Sequence, residues 1–194
     1  MNKTPASNET KLGILDHDEL NQHEAVGLKR TWDYLVNHQE AVLDTVLINK
    51  AHKAGFDSLY SWAGKYRITT PLVGNIEPPA PHLIPEMMIN LFDDLNYKLS
   101  NFDADNLEDL VKLLAWFEYR FIFIHPFPNT NGRMGRLLTN YILIKLGYPI
   151  LDYSNRSENR SSYIKAMQEA DEKDFENLEI FIASELNKAL KNMS

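Results

Sequence analysis

The chain has 194 residues, 44% of them hydrophobic, so it is long enough to form one domain with a substantial apolar core. It contains no cysteine, which excludes disulfides and cysteine-ligated metal sites and is typical of a protein of the reducing cytoplasm. A net charge of −7 argues against nucleic-acid binding, which normally needs a basic surface. No apolar run approaches the roughly 20 residues of a membrane-spanning helix, so we expect no membrane segment.

The amino-terminal residues 1–23 are polar and charged and lack an apolar signal core. We interpret them as a flexible polar leader. The remaining residues, 24–194, show no internal repeat, linker or low-complexity tract. They are therefore predicted to form a single domain.

The first half of this domain contains two predicted helices and a predicted hairpin. Apolar residues at helical spacing predict helices over residues 24–36 and 41–54, and Gly55 is the expected stop of the second helix. In residues 64–81, β-branched residues precede a Gly-Asn pair, and three prolines follow it. This pattern predicts a short β-hairpin that lies against the helices.

The second half is predicted to be helical, with helices over 84–99, 107–124, 132–146, 157–170 and 174–191. The helix over 107–124 is strongly apolar and rich in aromatic residues, so we expect it to be central. Pro126 should end it at His125, and Gly147 should cap the helix that follows. The predicted fold class is all-α: one helical bundle with a small β-hairpin.

The loop between the two central helices has the composition of an anion site. Its sequence is His125-Pro126-Phe127-Pro128-Asn129-Thr130-Asn131-Gly132-Arg133, and Arg136 follows one turn later. Because the Thr130–Gly132 segment begins a helix, its first N–H groups lack partners and, with the helix dipole, can bind phosphate. The two arginines are three residues apart, so they share a helical face and can both bind phosphate oxygens.

His125 ends an apolar helix beside this anion site. A neutral imidazole can take a proton from a hydroxyl group near pH 7. The alternatives are a histidine that joins two helices by hydrogen bonds, and a capped helix start with two solvated arginines. The histidine and the anion site together favour chemistry on a phosphate-bearing substrate. Asn129 offers a weak oxygen ligand for Mg²⁺.

Residues 125–136 resemble the motif of the Fic family, whose usual form is His-Pro-Phe-x-Asp/Glu-Gly-Asn-Gly-Arg-x-x-Arg. Two further segments, Trp62-Ala63-Gly64-Lys65-Tyr66-Arg67 and Leu72-Val73-Gly74 with Pro78-Pro79, are similar to the β-hairpin "flap" of that family. Gly147-Tyr148-Pro149 and residues 163–171 resemble its downstream segments. The likeness covers residues 24–185, most of the chain.

The resemblance implies a nucleotidyltransferase that moves AMP from ATP, with Mg²⁺ or Mn²⁺, to a Ser, Thr or Tyr hydroxyl of a target protein (AMPylation). It makes His125 the general base. It implies that the α-phosphate is bound by Asn131 and by the backbone of Thr130 and Gly132. It also implies that Arg133 and Arg136 bind the β- and γ-phosphates.

Further roles follow from the same resemblance. The flap would pair with the target segment and cover the nucleotide, and its residues are Thr70, Leu72, Val73 and Gly74. Tyr163 and Asp171 would border the adenosine pocket. The resemblance also leaves room for a separate antitoxin-like inhibitor, since Ser154–Asn159, which fits the letters of the family's inhibitory helix, is interpreted as a chance match.

Two residues depart from the motif. Asn129 stands where the family has an acidic residue that helps to hold Mg²⁺, and Thr130 stands where it has the first glycine. We expect the Thr130 side chain to narrow the space near the phosphates. A weakened or inactive nucleotide- or protein-binding module, or transfer of another nucleotide such as UMP, are therefore the alternatives. A DNA-reading helix-turn-helix is disfavoured by the long loop and the net charge.

Overall fold

The structure, a computed structural model, describes residues 9–71, 77–103, 106–153, 157–170 and 174–192. These residues form seven α-helices and one pair of two-residue strands. In chain order the elements are β1 Glu9–Thr10, β2 Gly13–Ile14, α1 His17–Val36, α2 Thr45–Phe56, α3 Ile84–Ser100, α4 Leu107–Ile124, α5 Asn131–Lys145, α6 Ser157–Glu169 and α7 Glu176–Lys191. The strands are antiparallel, with Glu9 opposite Ile14 and Thr10 opposite Gly13. The predicted all-α class is confirmed.

Helix α1 begins at His17, seven residues before the predicted start, because a capping box fixes its first turn. The side chain of Asp16 accepts hydrogen bonds from the N–H groups of Asp18 and Glu19, both at 2.9 Å. In return the Glu19 carboxylate accepts from the N–H of Asp16. The prediction that the leader extends to residue 23 is therefore wrong for residues 17–23, which belong to the helix.

Helices α1 and α2 pack unusually closely. Gly55, predicted to stop α2, lies inside it, and the helix ends one residue later at Phe56. A Cβ atom on Gly55 would lie 2.0 Å from Oγ1 of Thr31 and 2.5 Å from the carbonyl oxygen of Gly27, so only glycine permits this approach. The close packing matters because α1 and α2 each bring a buried polar side chain to the motif loop.

Helix α4 is the centre of the fold and packs against α3, α5 and α7. It occupies the residues predicted for it, and Phe117, Phe121 and Ile124 on it are fully buried. It ends where Pro126 was expected to end it, since His125 adopts a left-handed conformation with φ 52°. Gly147 takes φ +81° after α5, as predicted for a helix cap. Within the described ranges, none of the helices combines the length and apolar character that a bilayer crossing requires.

The predicted β-hairpin is not seen in the described part of residues 64–81. Residues 64–71 and 77–80 contain no strand, and the residues between them lie outside the described ranges. The buried side chain of Arg67 explains the difference. Its guanidinium binds the carbonyl oxygens of Thr69 (2.9 Å) and Pro79 (2.6 Å), which are groups of the kind a strand ladder would use.

Candidate active site

A cavity of about 700 Å³ opens between α1, the motif loop, the first turns of α5, and helices α6 and α7. This volume is within the roughly 300–1,000 Å³ range of small-molecule sites. The predicted motif residues border it together: His125, Asn129, Thr130, Asn131, Gly132, Arg133 and Arg136. Tyr163, predicted for the adenosine pocket, also borders it, whereas Asp171 lies outside the described residues.

His125 presents a neutral imidazole to this cavity. Its Nδ1 lies 3.3 Å from the carbonyl oxygen of Ile122, which can only accept, so Nδ1 carries the proton and Nε2 has a free lone pair. Burial lowers the pKa of His125 to about 4; the bond to Ile122 opposes this shift, and the positive charge of Arg67 adds to it. The imidazole is therefore uncharged at neutral pH, with Nε2 able to accept a proton as a general base must.

The amino terminus of α5 supplies the anion-binding groups. The first helical hydrogen bond of α5 runs from the N–H of Met134 to the carbonyl of Thr130 at 2.8 Å. Within the described part of the chain, no hydrogen bond uses the N–H groups of the three residues between them, 131–133. Arg136 adds a cation close to these groups. Its Nη1 lies 3.5 Å from the position that a Cβ atom on Gly132 would occupy. Free N–H groups, a helix dipole and a guanidinium form an anion cradle.

The side chain of Asn131 holds the loop in shape. Its Oδ1 accepts from the N–H of Phe127 at 2.9 Å, and its Nδ2 donates to the carbonyl of the same residue at 2.7 Å. Asn131 is buried, and these paired bonds close the loop into a ring. As placed, Asn131 offers an anion its backbone N–H, while its side chain fastens Phe127. Its predicted role at the α-phosphate stays a prediction.

Asn129 and Arg133 are both bound to Glu24 of α1, a residue that the sequence interpretation missed. Nη1 of Arg133 lies 2.6 Å from Oε2 of Glu24, and Nδ2 of Asn129 donates to Oε1 at 2.9 Å. The hydroxyl of Tyr60 also donates to Oε1, at 2.6 Å. Burial and the Glu24 carboxylate raise the pKa of Tyr60. The available signal was the position of Glu24 on the buried stripe of α1, four residues after Leu20.

The residues present do not fit a metal ion held by the protein. The Oδ1 of Asn129, the predicted weak ligand, accepts from the N–H of Thr130 at 2.7 Å, and its Nδ2 is bound to Glu24. Among the described residues, no group of three or more histidines, aspartates and glutamates could hold a metal.

Thr130 is held by His52 of α2, a second residue that the sequence interpretation missed. The Oγ1 of Thr130 lies 3.1 Å from Nε2 of His52 and donates to the carbonyl of Asn129 at 2.5 Å. Burial lowers the pKa of His52 to about 3, so its ring is neutral. We expected the Thr130 side chain to narrow the space near the phosphates. Its hydroxyl faces a core histidine, and the expected narrowing stays a prediction.

Arg136 lies beside a buried carboxylate cluster. Its guanidinium carbon is 5.2 Å from the ring centre of Tyr163 and 6.0 Å from that of Tyr153. The hydroxyls of both tyrosines donate to Glu118 of α4 at 2.6 Å, and Thr139 donates to the same carboxylate at 3.0 Å. Burial raises the pKa of Glu118, although these bonds and the charge of Arg136 oppose the shift. The cluster fixes the wall of the cavity beside Arg136.

Arg67 fixes the backbone around His125. Its N–H donates to the carbonyl of Pro126 at 2.8 Å, its Nε to that of His125 at 2.6 Å, and its Nη2 to that of Ile124 at 3.2 Å. Three consecutive carbonyls at the end of α4 are thus bound by one residue, which is only 2% exposed. Because these partners are distant in sequence, spacing alone could not reveal this role.

The predicted flap residues are only partly described. Thr70 is exposed and does not border the cavity. Leu72, Val73 and Gly74 lie outside the described residues. Their predicted contact with a target segment therefore stays a prediction.

Comparison with known proteins identifies the class to which this fold and cavity belong. The model of the Fic/DOC family matches residues 42–143, slightly more than half of the chain. The chain therefore belongs to the Fic/DOC family, and the resemblance found in its motif is confirmed.

Several curated relatives carry the name protein adenylyltransferase Fic. That of Nematostella vectensis is 30% identical over 189 residues, which are 94% of this chain and 42% of the relative. That of Culex quinquefasciatus is 30% identical over 182 residues, 90% of this chain and 34% of the relative. The chain thus spans less than half the length of these relatives.

Solved structures share the fold. A Fic domain containing signaling protein from Bacteroides thetaiotaomicron superposes with a TM-score of 0.69 and 25% identity, covering 88% of this chain and 69% of that protein. The BepC protein of Bartonella tribocorum, solved with bound AMPPNP, gives a TM-score of 0.69 with 19% identity over 91% of this chain and 90% of its own. At that identity, the second comparison speaks for the fold alone.

Proposed function

We propose that this protein is a protein adenylyltransferase that transfers AMP from ATP to a Ser, Thr or Tyr hydroxyl of a target protein. The observation that carries the proposal is the placement of a neutral imidazole, His125, and three unbonded N–H groups of α5 around one cavity. A base and an anion cradle that face the same space suit attack of a hydroxyl on a phosphate. The names of the relatives support the same reaction.

The proposed chemistry is one displacement at the α-phosphorus. The α-phosphate would lie against the N–H groups of residues 131–133. The target oxygen forms a bond to the α-phosphorus while the bond from that phosphorus to the bridging oxygen of the β-phosphate breaks. Nε2 of His125 takes the hydroxyl proton, and pyrophosphate leaves with the electron pair of the broken bond. The products are AMP-modified protein and pyrophosphate.

The two arginines have unequal places in this proposal. Arg136 borders the cavity beside the N–H groups, so it is suited to bind the β- and γ-phosphates and the leaving pyrophosphate. Arg133 uses Nη1 for Glu24, so only its other donors can serve a phosphate. Mg²⁺ or Mn²⁺ would arrive as the complex with ATP. Asn131 would contribute to the α-phosphate site through its N–H and by fixing the loop.

The proposal also includes the contacts with the target and the adenosine, the regulation of the enzyme and its cellular compartment. The flap residues, Thr70 and residues 72–74, would bind the target segment, and Tyr163 with Asp171 would border the adenosine. The enzyme would act either under restraint by a separate antitoxin-like protein or without restraint, and the absence of cysteine suits a reducing cytoplasm.

The test is incubation of the protein with cell lysate and ATP labelled at either the α- or the γ-phosphate. We expect the α label alone to enter target protein, because pyrophosphate carries the γ label away. His125→Ala should abolish transfer, whereas His23→Ala, which changes an exposed histidine of α1, should not. Transfer of the γ label, or α-label transfer that survives His125→Ala, would contradict the proposal. Competition with unlabelled UTP asks whether UMP is the natural donor.

A second candidate is a non-catalytic nucleotide- or protein-binding module. It is favoured by the arrangement of Asn129 and Arg133, whose side chains are bound to Glu24. The double variant Asn129→Asp/Thr130→Gly, which restores the usual motif, separates the two candidates. If label transfer occurs only in the double variant, the natural protein is a binding module. If calorimetry detects no nucleotide binding to the natural protein, the adenylyltransferase and the nucleotide-binding module both fail, and only a protein-binding module is left.

A further inference from the structure

We propose that His52 is a positioning residue of the anion cradle: by binding Thr130 it holds a threonine in a backbone conformation that favours glycine. The inference rests on the proposed function for its ligand, a nucleoside triphosphate. It gives His52 a role in nucleotide affinity although this side chain does not border the cavity.

The need for such a residue arises from the backbone of Thr130. Thr130 is the residue before the first turn of α5 and has φ 72° and ψ −1°, in the left-handed region. A β-branched residue rarely adopts this conformation, because its Cβ crowds the neighbouring backbone. The peptide after Thr130 carries the first N–H of the cradle. If Thr130 changed to a more favourable backbone conformation, that N–H and the two that follow it would no longer point towards the same anion.

The surroundings of His52 suit it to this task. Its Nδ1 accepts from the N–H of Gly64 at 2.9 Å, so in the neutral ring the proton is on Nε2. Nε2–H is 3.1 Å from Oγ1 of Thr130 and donates to it, while the threonine hydroxyl donates to the carbonyl of Asn129 at 2.5 Å. Each donor in this chain therefore has one acceptor, and the direction of every bond is determined.

The ring of His52 is also fixed by stacking. It lies on the ring of Phe127, with ring centres 3.8 Å apart and planes 16° apart, and its side chain is fully buried. Burial keeps the pKa of the ring at about 3, so the donor on Nε2 keeps its orientation across the neutral range. A rigid donor in the core can thus anchor a strained residue on the wall of the cavity.

The competing explanation makes His52 an ordinary core residue. In that case its stacking on Phe127 and its bond to Gly64 account for its effect, and neither depends on the residue at position 130. Of the three contacts of His52, only the bond to Thr130 disappears when that residue becomes glycine. Glycine also removes the backbone strain at this position. The two explanations therefore differ in whether substitutions at 52 and 130 are coupled.

The experiment is a double-mutant cycle on the full chain with wild type, His52→Phe, Thr130→Gly and the double variant. Phenylalanine keeps a ring beside Phe127 but has no donor. The readout is the Kd for α,β-methylene-ATP with Mg²⁺, measured by calorimetry. We expect His52→Phe to weaken binding at least tenfold beside Thr130 and less than twofold beside Gly at that position. Equal losses in both backgrounds would overturn the proposal.

Two further variants keep the test decisive if His52→Phe does not fold. Thr130→Val keeps the branched shape and the strain but loses the bond, so it should weaken binding at least tenfold. His52→Gln supplies an N–H donor and should bind within about threefold of wild type. Wild-type affinity in Thr130→Val, or a loss in His52→Gln as large as in Thr130→Val, would count against the role of the bond.

Failure of the proposed function gives a different result. If wild type itself binds no nucleotide, the proposed function fails. The positioning role is then read from hydrogen exchange of the N–H of Met134, which donates to the carbonyl of Thr130 at 2.8 Å. His52→Phe should speed this exchange at least tenfold beside Thr130 and leave it unchanged in the Thr130→Gly background. Exchange that His52→Phe changes equally in both backgrounds would overturn the positioning role as well.

Discussion

The carboxylate of Glu24 and the guanidinium of Arg133 lie 2.6 Å apart, and this ion pair joins α1 to the first turn of α5. Glu24 is only 2% exposed, and its second oxygen accepts from Tyr60 and Asn129. One buried carboxylate therefore satisfies three donors, one on Tyr60 and two in the motif segment 129–133. Removal of such a group leaves its partners without an acceptor, which costs more than the pair itself contributes.

Glu24→Ala should lower the free energy of unfolding by about 2–4 kcal/mol, because Arg133, Tyr60 and Asn129 all lose their acceptor. The value is below that for a fully buried pair because the side chain of Arg133 is 29% exposed. Urea denaturation measures the change. Glu40→Ala, on an exposed glutamate, is the matched control and should change stability by less than about 0.5 kcal/mol. A loss below about 1 kcal/mol for Glu24→Ala would show that the cluster is not a structural support.

Asn129→Asp should destabilise this protein, although it restores the usual motif residue. The substitution replaces the Nδ2 donor, 2.9 Å from Oε1 of Glu24, with a second carboxylate oxygen. A buried carboxylate and a partly buried one repel at that separation, so we expect a loss of about 2–3 kcal/mol at pH 7. Adding Glu24→Gln should recover part of the loss, since the new amide can donate to Asp at 129. Denaturation of the single and double variants tests this coupling, and additive losses would contradict it.

The pKa of His125, lowered to about 4 by burial, predicts the acid limb of the pH–rate profile. The neutral imidazole is the active form, and it is the main form wherever the pH is above that pKa. We therefore expect kcat/KM, which reports the free enzyme, to stay level from pH 8 down to about 5.5 and to fall at lower pH. An NMR titration of the His125 ring in the free protein gives an independent value. A midpoint between 6 and 7 in either measurement would contradict the buried, neutral base.

Arg67→Lys should be strongly destabilising despite the retained charge. The guanidinium binds the carbonyls of Thr69, Pro79, Ile124 and His125, and an ammonium group cannot span these positions. We expect a loss of about 2–4 kcal/mol in the free energy of unfolding, with lower transfer activity because His125 is less well fixed. Arg30→Lys, on an exposed arginine, should cost less than about 0.5 kcal/mol. Similar losses for the two variants would refute the role of Arg67.

The parts of the fold that local chemistry determines could be predicted from the sequence. Helix α4 has its predicted bounds because Pro126 ends it, and Gly147 caps α5. The start of α1 was missed, although Asp16 and Glu19 have the spacing of a capping box. Val42 and Val46 are apolar residues of the segment predicted as a helix over 41–54, yet they are 66% and 54% exposed, because apolar spacing alone does not say which face meets a neighbouring helix.

In the candidate site, too, the sequence indicated some of the residues and not others. Its motif loop is one continuous segment, so the motif indicated which residues would share a cavity. The residues that support the loop, Glu24, His52 and Arg67, come from three other segments. On α1, the apolar Ala25 is exposed and the charged Glu24 beside it is buried, because partners distant in sequence satisfy the carboxylate. Such long-range pairings are set by tertiary packing and leave no periodic signal.

The proposed function requires that His125 and the N–H groups at the start of α5 act on the same phosphate. A crystal structure with α,β-methylene-ATP, whose bridge to the β-phosphate cannot be cleaved, tests it directly. We predict that the α-phosphate accepts hydrogen bonds from the N–H groups of residues 131–133 and that Nε2 of His125 faces the side from which a hydroxyl would attack. A nucleotide bound outside this cavity, or an imidazole turned away from the phosphate, would contradict the claim.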